Sequence, residues 1–577
     1  MTYRAPLEEI SLTLTHMVGA DALAGTELFA EATVETRDAI LTEAAKLAEE
    51  VLAPLNRVGD LDPCRIENGV VRLPKGFVEG FAAIRDGGWM GLTAEPRWGG
   101  MGLPHAFFTA FNEMTSSACL ALALGPLLTI GKIEALQEHA PDWVRDLYIP
   151  KLASGEWTGV MDLTEPGAGS DVGALRLRAE PAGDGTYRLH GQKIFITWGD
   201  HDAAENVCHL VLGRIAGAPD GVRGVSMFLC PKFIPEADGT LGPRNAMRAI
   251  GLEHKMGLHG SPTCVMEFDG AAAWLIGGEN RGLMAMFSMM NAARLGVGVQ
   301  GVGVAEAALQ AAEAYAQARR QGRTPVGDGH GPIADHADVR RMLTTMRART
   351  MAARAICFAC ATALDFARAA PEAERAGWAA RAGLLTPIAK AFGTDVGCEV
   401  ASLGIQVHGG MGYVEETGVA QFYRDVRVTP IYEGANGVQA MDLVGRKLAQ
   451  HGAAPHAMLD EIAAFAAQAR SGAGAELAAR LDAARAQVLA ATDWMIAAKG
   501  NDRHAGATPF LRAWALLLGG YFLFKGAEAA PKLMPLASFF IRQELPQAAA
   551  HLAAATEGAG ALYPEIETED AADSAAA

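Results

Sequence analysis

Hydrophobic residues recur at helical spacing over the first 158 residues and again beyond Gly282. Segments such as DAILTEAAKLAEEVLAPL are rich in alanine, leucine and glutamate and carry few strand signals. In DVRRMLTTM, Val339, Met342 and Met346 are spaced i, i+3 and i+7, which places them on one face of a helix. The pattern therefore predicts long helices in both regions.

Between these regions the pattern shortens to strand-like runs. LRLRAEP, YRLHGQKIFIT, CHLVLGRI, GVSMFLC and PTCVMEFDG are rich in β-favouring residues and are separated by turn residues such as Gly183-Asp184-Gly185. We predict four segments in chain order: a helical domain (1–158), a small antiparallel β domain (159–277), a helical bundle (278–450) and a further helical domain (451–577). The acidic tail ETEDAADSAAA is expected to fray.

Composition narrows the class of protein. A chain of 577 residues is too long for one compact core, and a net charge of −17 argues against a general binder of nucleic acid. The N-terminus MTYRAPLEEI shows no secretory signal, and the longest apolar run, Ala513 to Phe524, is shorter than the roughly 20 residues that span a bilayer. We expect that run to be a buried helix, in a cytoplasmic protein with neither a nucleic-acid nor a membrane partner.

Several familiar signatures are weak in this chain. Eight cysteines are too sparse for a disulfide scaffold, and Cys357 and Cys360 fit the buried face of a helix better than a redox pair. GAGSDVG imitates a dinucleotide-binding fingerprint but precedes strand-like sequence instead of a helix. HExxH, paired cysteine sets and GxSxG are absent from the sequence, and His254 and His259 have no carboxylate cluster nearby. We therefore expect no metal site.

Four polar or glycine-rich segments stand out from this background. DLTEPGAGSD offers hydroxyls and backbone N–H groups to an anion or a ring edge, KIFITWG places aromatic residues at 195 and 198, and QVHGGMGY predicts a loop between helices. Each segment also has an interpretation without a ligand: DLTEPGAGSD as a surface turn, KIFITWG as a half-buried strand and QVHGGMGY as a helix-ending turn. In PIYEGANGVQ, Glu433 is predicted in a loop or at a helix start, either as an N-terminal acid or as a base.

Together these segments resemble the acyl-CoA dehydrogenase family of flavoenzymes. AEPRWGGMG, DLTEPGAGSD, KIFITWG, YAQARRQGR, QVHGGMGY and IYEGANGVQ occur in the family's order over residues 40–448. The resemblance implies an α+β multidomain fold: an N-terminal helical domain, a middle antiparallel β domain and a C-terminal four-helix bundle, here with an extra helical domain. NRVGD and the added C-terminal region look closest to an extended subgroup that includes enzymes acting on 3-(methylthio)propanoyl-CoA.

The resemblance implies FAD-dependent oxidation of the Cα–Cβ bond of an acyl-CoA thioester to the trans-2-enoyl product. By motif position Glu433 would take the α-proton while flavin N5 receives the β-hydride. Glu415 and Glu416 are the next candidates for the base. Tyr432 and Gly434 would contact the substrate, since the family polarises the thioester carbonyl with the base's own backbone N–H and a ribityl hydroxyl of FAD.

The resemblance also implies the FAD contacts. Phe195 stands where tryptophan is more usual, and Arg319 matches an arginine that reaches FAD pyrophosphate from a neighbouring subunit, with Arg320 and Arg323 as alternatives. Gln406 to Gly410 match a loop on the adenylate side. The implied set is Met161, Leu163, Thr164, Gly169, Ser170, Phe195, Ile196, Thr197, Arg319, Gln321, Gln406, Val407, Gly409, Gly410, Ala435 and Asn436. Ala435 replaces a frequent threonine, and Asn436 is expected to compensate for it.

Substrate contacts are implied at Ser170, Asn291 and Arg294, which match positions that touch the CoA moiety. Asn291 replaces a frequent aspartate. Flexible methionines at 284, 286, 289 and 290 suit either a pocket for a thioether or alkyl tail or an ordinary helix core, and the core is favoured.

The implied partners are an acyl-CoA substrate, an electron-transfer flavoprotein as electron acceptor, and further copies of the chain in a dimer or tetramer. The favoured substrate is 3-(methylthio)propanoyl-CoA or a short- to medium-chain acyl-CoA. Alternatives on the same fold are a long-chain dehydrogenase, and an oxidase or flavin monooxygenase that would consume O₂ rapidly. An inactive helical scaffold would bind no FAD.

Overall fold

The computed structural model describes residues 3–448, 452–470 and 474–563, so the predicted fraying tail lies outside the described residues. The helical N-terminal region and the long helix after the strands form as predicted. Their α-helices are α1 (Leu7–Leu12), α2 (Val34–Lys46), α3 (Ala53–Leu61), α4 (Phe77–Asp86), α5 (His105–His139), α6 (Asp142–Ala153) and α7 (Gly282–Ala318).

The rest of the chain is helical as well. Its α-helices are α8 (Ala337–Ala369), α9 (Glu372–His408), α10 (Val419–Val426), α11 (Asn436–Asp442), α12 (Ala453–Ala469), α13 (Ala475–Ala497), α14 (Gly500–Ala505), α15 (Ala507–Ala529), α16 (Met534–Phe539) and α17 (Gln547–Ala555). The run Ala513 to Phe524 is buried within α15, and Cys357 and Cys360 are buried in α8, both as predicted.

Eleven strands lie within the described residues. They are β1 (Arg65–Glu67), β2 (Val70–Arg72), β3 (Trp157–Asp162), β4 (Arg178–Pro181), β5 (Tyr187–Thr197), β6 (Asn206–Ile215), β7 (Ser226–Pro231), β8 (Phe233–Pro235), β9 (Leu241–Arg244), β10 (Met247–Leu252) and β11 (Thr263–Ile276). The hairpin of β1 and β2 was not predicted.

The main sheet has seven strands in the order β10-β11-β5-β4-β6-β3, and β7 pairs with both β11 and β6. The prediction of a purely antiparallel domain is wrong in one respect, because β6 runs parallel to β3 and to β4. The long connections between these strands allow parallel pairing, which a two-residue hairpin cannot. β4 also starts three residues later than LRLRAEP suggested, because the N–H groups of Arg176 and Leu177 donate to the carboxylate of Glu165 instead of to a neighbouring strand.

The contacts group the residues into two compact units. The first contains Glu35–Gly296 and Val414–Val428, and the second contains Pro6–Val34, Val297–Tyr413 and the chain from Thr429 onward. The first unit has a core of inward-facing strand residues such as Leu189, Val211 and Phe268. Burial of these side chains is what selects the strand register, since a one-residue slip would turn them outward.

The second unit is built on close packing of α7 and α9. A Cβ on Gly298 would lie only 2.6 Å from the carbonyl oxygen of Ala389, so the two backbones can approach here only because the residue is glycine. This crossing places Lys390, which is fully buried, next to the segment that carries Glu433.

Among the described residues, α5, α7, α8 and α15 are long and apolar enough to cross a membrane by length and composition alone. Between 65% and 94% of each apolar window is buried inside the protein.

Candidate active site

A buried ion pair holds the loop between β3 and β4 from inside. The carboxylate of Glu165 accepts backbone N–H groups of Arg176 at 2.6 Å and Leu177 at 3.0 Å, and the Nζ of Lys193 at 2.8 Å. The two charged side chains are 8% and 0% exposed. Burial lowers the pKa of Lys193, and the charge of Glu165 opposes that shift.

This pair fixes the predicted ligand loop to β5. Lys193 also donates to the carbonyl oxygen of Leu163 at 2.9 Å, and the carbonyl of Thr164 accepts the N–H of Ile194 at 2.9 Å. Gly169 and Ser170 stay exposed, and Thr164 is half-buried. The structure therefore brings the loop and the end of β5 together, as one half of a site.

A β-bulge turns Phe195 outward at that strand end. The register with β11 shifts between Cys264 and Met266, and Lys193 and Ile196 are both buried although regular alternation would point them to opposite faces. Phe195 has φ +59° and is 57% exposed. An aromatic residue in this strained conformation, presented to solvent on a rigid strand, is typical of a binding surface.

Two predictions for this segment need correction. Trp198 does not face a ligand, because its ring is fully buried and its Nε1–H donates to the carbonyl of Ala121 at 3.2 Å. Ile196 and Met161 are 2% and 8% exposed, so their side chains belong to the interior and only their backbone is available to a ligand.

The 430–435 turn carries Glu433 immediately before α11. Glu433 has φ +55° and Gly434 has φ +86°, and the N–H of Asn436 closes the turn on the carbonyl of Pro430 at 3.0 Å. The carboxylate-bearing side chain is half-buried. The prediction of a loop or a helix start is confirmed, because Glu433 lies in a turn three residues before Asn436, where α11 begins.

Two glutamines brace this turn, and the sequence pattern did not indicate either. The Nε2 of Gln439 donates to the carbonyls of Glu433 and Gly434 at 3.3 and 3.2 Å, and the hydroxyl of Tyr432 donates to Gln300. Burial, followed by the charge of Glu433, raises the pKa of Tyr432, so this hydroxyl stays protonated.

The prediction that Asn436 replaces a flavin hydrogen bond is wrong. Its Nδ2 donates to Asp395 at 2.7 Å and Thr394 at 3.0 Å, and its Oδ1 accepts the Nζ of Lys390 at 2.9 Å. The amide is committed to α9, so it ties α11 to that helix instead. Ala435 is half-buried beside it.

The segment predicted for the FAD pyrophosphate and the segment predicted for its adenylate side meet through stacked rings. Tyr315 near the end of α7 lies over His408 at the end of α9, with ring centroids 4.3 Å apart. Arg319 follows Tyr315 by one turn, and both it and Gln321 are exposed. Burial lowers the pKa of His408, which keeps the ring neutral for stacking.

The glycine-rich loop begins later than predicted. Gln406 and Val407 still belong to α9, and Val407 is 4% exposed, so its side chain packs inside. The helix ends at Gly409, whose φ of +59° and ψ of −139° are nearly restricted to glycine. Gly409 and Gly410 are exposed, with open space where a Cβ would stand.

The predicted CoA contacts are only partly assembled. Asn291 is exposed on α7, and its Oδ1 accepts the guanidinium of Arg294, one turn away, at 3.3 Å. Ser170 is exposed on the loop of the first unit. Of the methionines, Met286 and Met289 are fully buried, while Met284 is 57% exposed. The favoured interpretation as helix core therefore holds for the first two.

In the first unit Phe195 offers a planar face, and Thr164 and Ser170 offer hydroxyls beside the approachable backbone of Gly169. In the second unit, taken by itself, Arg319 offers a cation and Gly410 leaves the backbone approachable. Each set of groups suits part of a ligand with a flat ring system and phosphates, such as FAD. No group of three or more metal-ligating side chains occurs among the described residues.

Four family models match successive parts of the chain between residues 34 and 563. They are described as the Acyl-CoA dehydrogenase N-terminal domain over residues 34–156, middle domain over 160–271 and C-terminal domain over 280–448, and as Acetyl-CoA dehydrogenase C-terminal like over 458–563. The chain is also 44% identical over 538 residues to 3-methylmercaptopropionyl-CoA dehydrogenase of Ruegeria pomeroyi, covering 92% of each protein.

Solved structures share the fold. Caenorhabditis elegans ACDH-11 in complex with C11-CoA superposes with a TM-score of 0.79 at 20% identity, covering 94% of this chain and 92% of that one. Acyl-CoA dehydrogenase complexed with FAD from Bacillus anthracis gives 0.74 at 20% identity, covering 92% and 89%. With the family models and the relative from Ruegeria pomeroyi, the resemblance is confirmed: the chain belongs to the acyl-CoA dehydrogenase family of oxidoreductases.

Proposed function

We propose that this protein oxidises the Cα–Cβ bond of an acyl-CoA thioester, with Glu433 as the base that removes the α-proton. The observation that carries the proposal is the braced 430–435 turn, in which the half-buried Glu433 has a left-handed backbone, Gln439 donates to its carbonyl, and the N–H of Asn436 closes the turn on Pro430. Such strain persists only where surrounding contacts enforce it, and it is common at catalytic positions.

The chain's own residues account for the proton transfer. A carboxylate becomes a stronger base when substrate displaces water from around it, because desolvation disfavours its charged form. We propose that the backbone N–H of Glu433 donates to the thioester oxygen in the complex with substrate, where negative charge develops as the proton departs. FAD, when bound, supplies the acceptor for the hydride that leaves the β-carbon.

Each compact unit, taken by itself, carries residues that would contact FAD. In the first unit these are Thr164 and Ser170 of the loop with Phe195 and Thr197 of β5. In the second they are Arg319 and Gln321 after α7, with Gln406, Gly409 and Gly410 at the end of α9. Their exposure and hydrogen-bonding groups support this assignment.

Removing the positive charge of Arg319 should weaken FAD binding. Arg319→Ala should lower the affinity for FAD about tenfold, since hydrogen bonds to a charged phosphate contribute about 1.5–3 kcal/mol. The measurement is flavin content by absorbance after gel filtration, repeated at several salt concentrations. Arg341→Ala on α8, which removes an equally exposed guanidinium paired with Asp338, is the control. Equal flavin retention by both variants would reject the assignment.

We propose 3-(methylthio)propanoyl-CoA as the preferred substrate, with short- and medium-chain acyl-CoAs next. The relative that is 44% identical carries that activity in its name, and the identity covers 92% of both chains. Pentanoyl-CoA replaces the thioether sulfur by a methylene and is the matched control substrate.

The expected result is a kcat/KM for 3-(methylthio)propanoyl-CoA at least about tenfold above that for palmitoyl-CoA, because a short pocket discriminates by about 1–3 kcal/mol per methylene. The kcat/KM for pentanoyl-CoA should lie close to that for 3-(methylthio)propanoyl-CoA. Assays use an artificial electron acceptor under nitrogen. A preference for palmitoyl-CoA would move the protein to the long-chain alternative.

We further propose an electron-transfer flavoprotein as the physiological acceptor and a homo-oligomer in the cytoplasm. The exposed ends of α7 and α9, which carry Arg319 and Gly409, support an assembly in which a second copy of the chain covers them.

A further inference from the structure

A polar cavity is lined by residues of α9 and by Asn436 and Ala440 of α11. It has a volume of about 450 Å³ and is lined by Asn436 and Asp395 together with Arg512 of α15 and His551 of α17. Residues from Ala453 to Tyr563 form the C-terminal extension that follows the bundle. The cavity is therefore where the extension reaches the helix that follows Glu433.

Contacts from α11 and from the extension meet on one stretch of α9. Asn436, three residues after Glu433, donates to Asp395 at 2.7 Å. One turn further along α9, Glu399 accepts the guanidinium of Arg512 at 2.9 Å. That guanidinium also lies 4.9 Å from the ring centroid of Phe392 on α9. The extension thus supplies a cation to the same stretch of helix that binds Asn436.

A second arginine consolidates the network from α8. Arg349 donates to Glu399 at 2.7 Å and to Glu544 of the extension at 2.7 and 2.9 Å, with its side chain only 16% exposed. Glu399 therefore sits between two arginines. Several partly buried charges paired in this way favour one arrangement of the helices, because a shift of any one leaves another unpaired.

Arg512 also affects the charge on Asp395. Burial raises the pKa of Asp395, and the nearby Glu399 raises it further, whereas Arg512 is the strongest influence that lowers it. An ionised Asp395 is a stronger acceptor for the amide of Asn436 than a neutral one. Loss of Arg512 should therefore weaken the hydrogen bond that ties α11 to α9.

We propose that the C-terminal extension positions Glu433, acting through Arg512, Asp395 and Asn436. These are positioning residues, since they act on the turn and not on the reacting atoms. The inference rests on the proposed function for its catalytic consequence, but the mechanical coupling between extension and turn can be measured without any substrate.

The test is hydrogen exchange of the peptide covering residues 430–442 in the purified holoenzyme. Arg512→Gln and Asp395→Asn should each speed exchange of that peptide by at least about threefold, because weakened support lets the turn open locally more often. Arg512→Lys, which keeps the positive charge, should restore most of the protection. Unaltered exchange in both Arg512→Gln and Asp395→Asn would overturn the coupling.

A matched control distinguishes positioning of the turn from general stabilisation of the bundle by the extension. Arg381 of α9 and Glu461 of α12 also join bundle to extension, with Tyr521 as a third partner at 2.7 Å from Glu461, but without α11. Glu461→Gln should lower the melting temperature and leave the 430–442 peptide protected. Equal loss of protection in Glu461→Gln and Arg512→Gln would mean that the extension only stabilises the bundle in general. That result would reject the proposal.

Kinetics separate this inference from the proposed function. In Arg512→Gln the rate of flavin reduction at saturating acyl-CoA should fall about tenfold, as expected for a misplaced base, while the apparent dissociation constant changes less than about twofold. Faster exchange with an unchanged reduction rate would contradict positioning. If none of the acyl-CoAs reduces the flavin of the wild-type protein, the proposed function fails. The exchange data still decide whether the extension and the turn are coupled.

Discussion

Glu433→Gln should retain bound FAD and lose turnover by about 10³-fold, within the range of about 10²–10⁴ that a general base contributes. The amide has nearly the same shape, so the contacts of Gln439 and Gln300 with the turn persist, but it cannot accept a proton from carbon. The measurement is the rate of flavin bleaching after rapid anaerobic mixing with 3-(methylthio)propanoyl-CoA.

The controls for this variant are the two other acidic residues considered as the base. Glu416 is exposed in a short 3₁₀ helix, and Glu415 pairs with Arg424 at 2.9 Å. The flavin of Glu416→Gln should therefore be bleached at the wild-type rate. Substantial activity in Glu433→Gln, combined with loss in Glu415→Gln or Glu416→Gln, would reassign the base.

Lys193→Met should produce the largest loss of stability. Truncating one partner of a buried ion pair costs about 3–5 kcal/mol, because the other charge stays buried without compensation. Here Glu165 would keep its two backbone donors and lose its cation. The measurement is the free energy of opening for the β5 amides by hydrogen exchange, together with flavin content, which should fall because the 163–170 loop loses its anchor.

Arg248→Met is the matched control for that change. Arg248 pairs with Glu267 across β10 and β11 at 2.7 Å, in the same sheet, but its side chain is 68% exposed. Exposed ion pairs contribute about 0–1 kcal/mol, so this variant should remain near wild type. A similar effect of both substitutions would show that the Glu165–Lys193 pair does not organise the loop.

The family and the order of helical and strand regions could be predicted from the sequence because both depend on local signals. Hydrophobic spacing separates helix from strand, and the motifs that resemble the family are contiguous. Glu433 in PIYEGANGVQ was placed in a turn before a helix for the same reason, since Pro430 and Gly434 limit the backbone locally.

Features that depend on partners distant in sequence could not be predicted. The parallel pairing of β3 with β6, the bulge that turns Phe195 outward, and the burial of Trp198 all arise from tertiary contacts. Gln300 lies 132 positions from Tyr432, and a lone glutamine in an apolar helix is a weak signal without its partner. Lys193 in an otherwise strand-like run was the one visible sign of the Glu165 pair.

The commitment of Asn436 to α9 shows the limit of transferring a role by motif position. Nothing in ANGVQ indicates that Lys390 and Asp395 would occupy both ends of the amide. A hydrogen-bonding side chain has a fixed number of partners, so the residues around it decide which role it takes.

The most direct test of the account is an anaerobic titration of the purified wild-type protein with acyl-CoAs, following flavin absorbance near about 450 nm, the band expected of this cofactor class. The account predicts a yellow protein that 3-(methylthio)propanoyl-CoA bleaches to completion at about one equivalent per flavin, with a trans-2-enoyl thioester as product. A protein that binds flavin and is bleached by none of the acyl-CoAs, from propanoyl to palmitoyl, would contradict it.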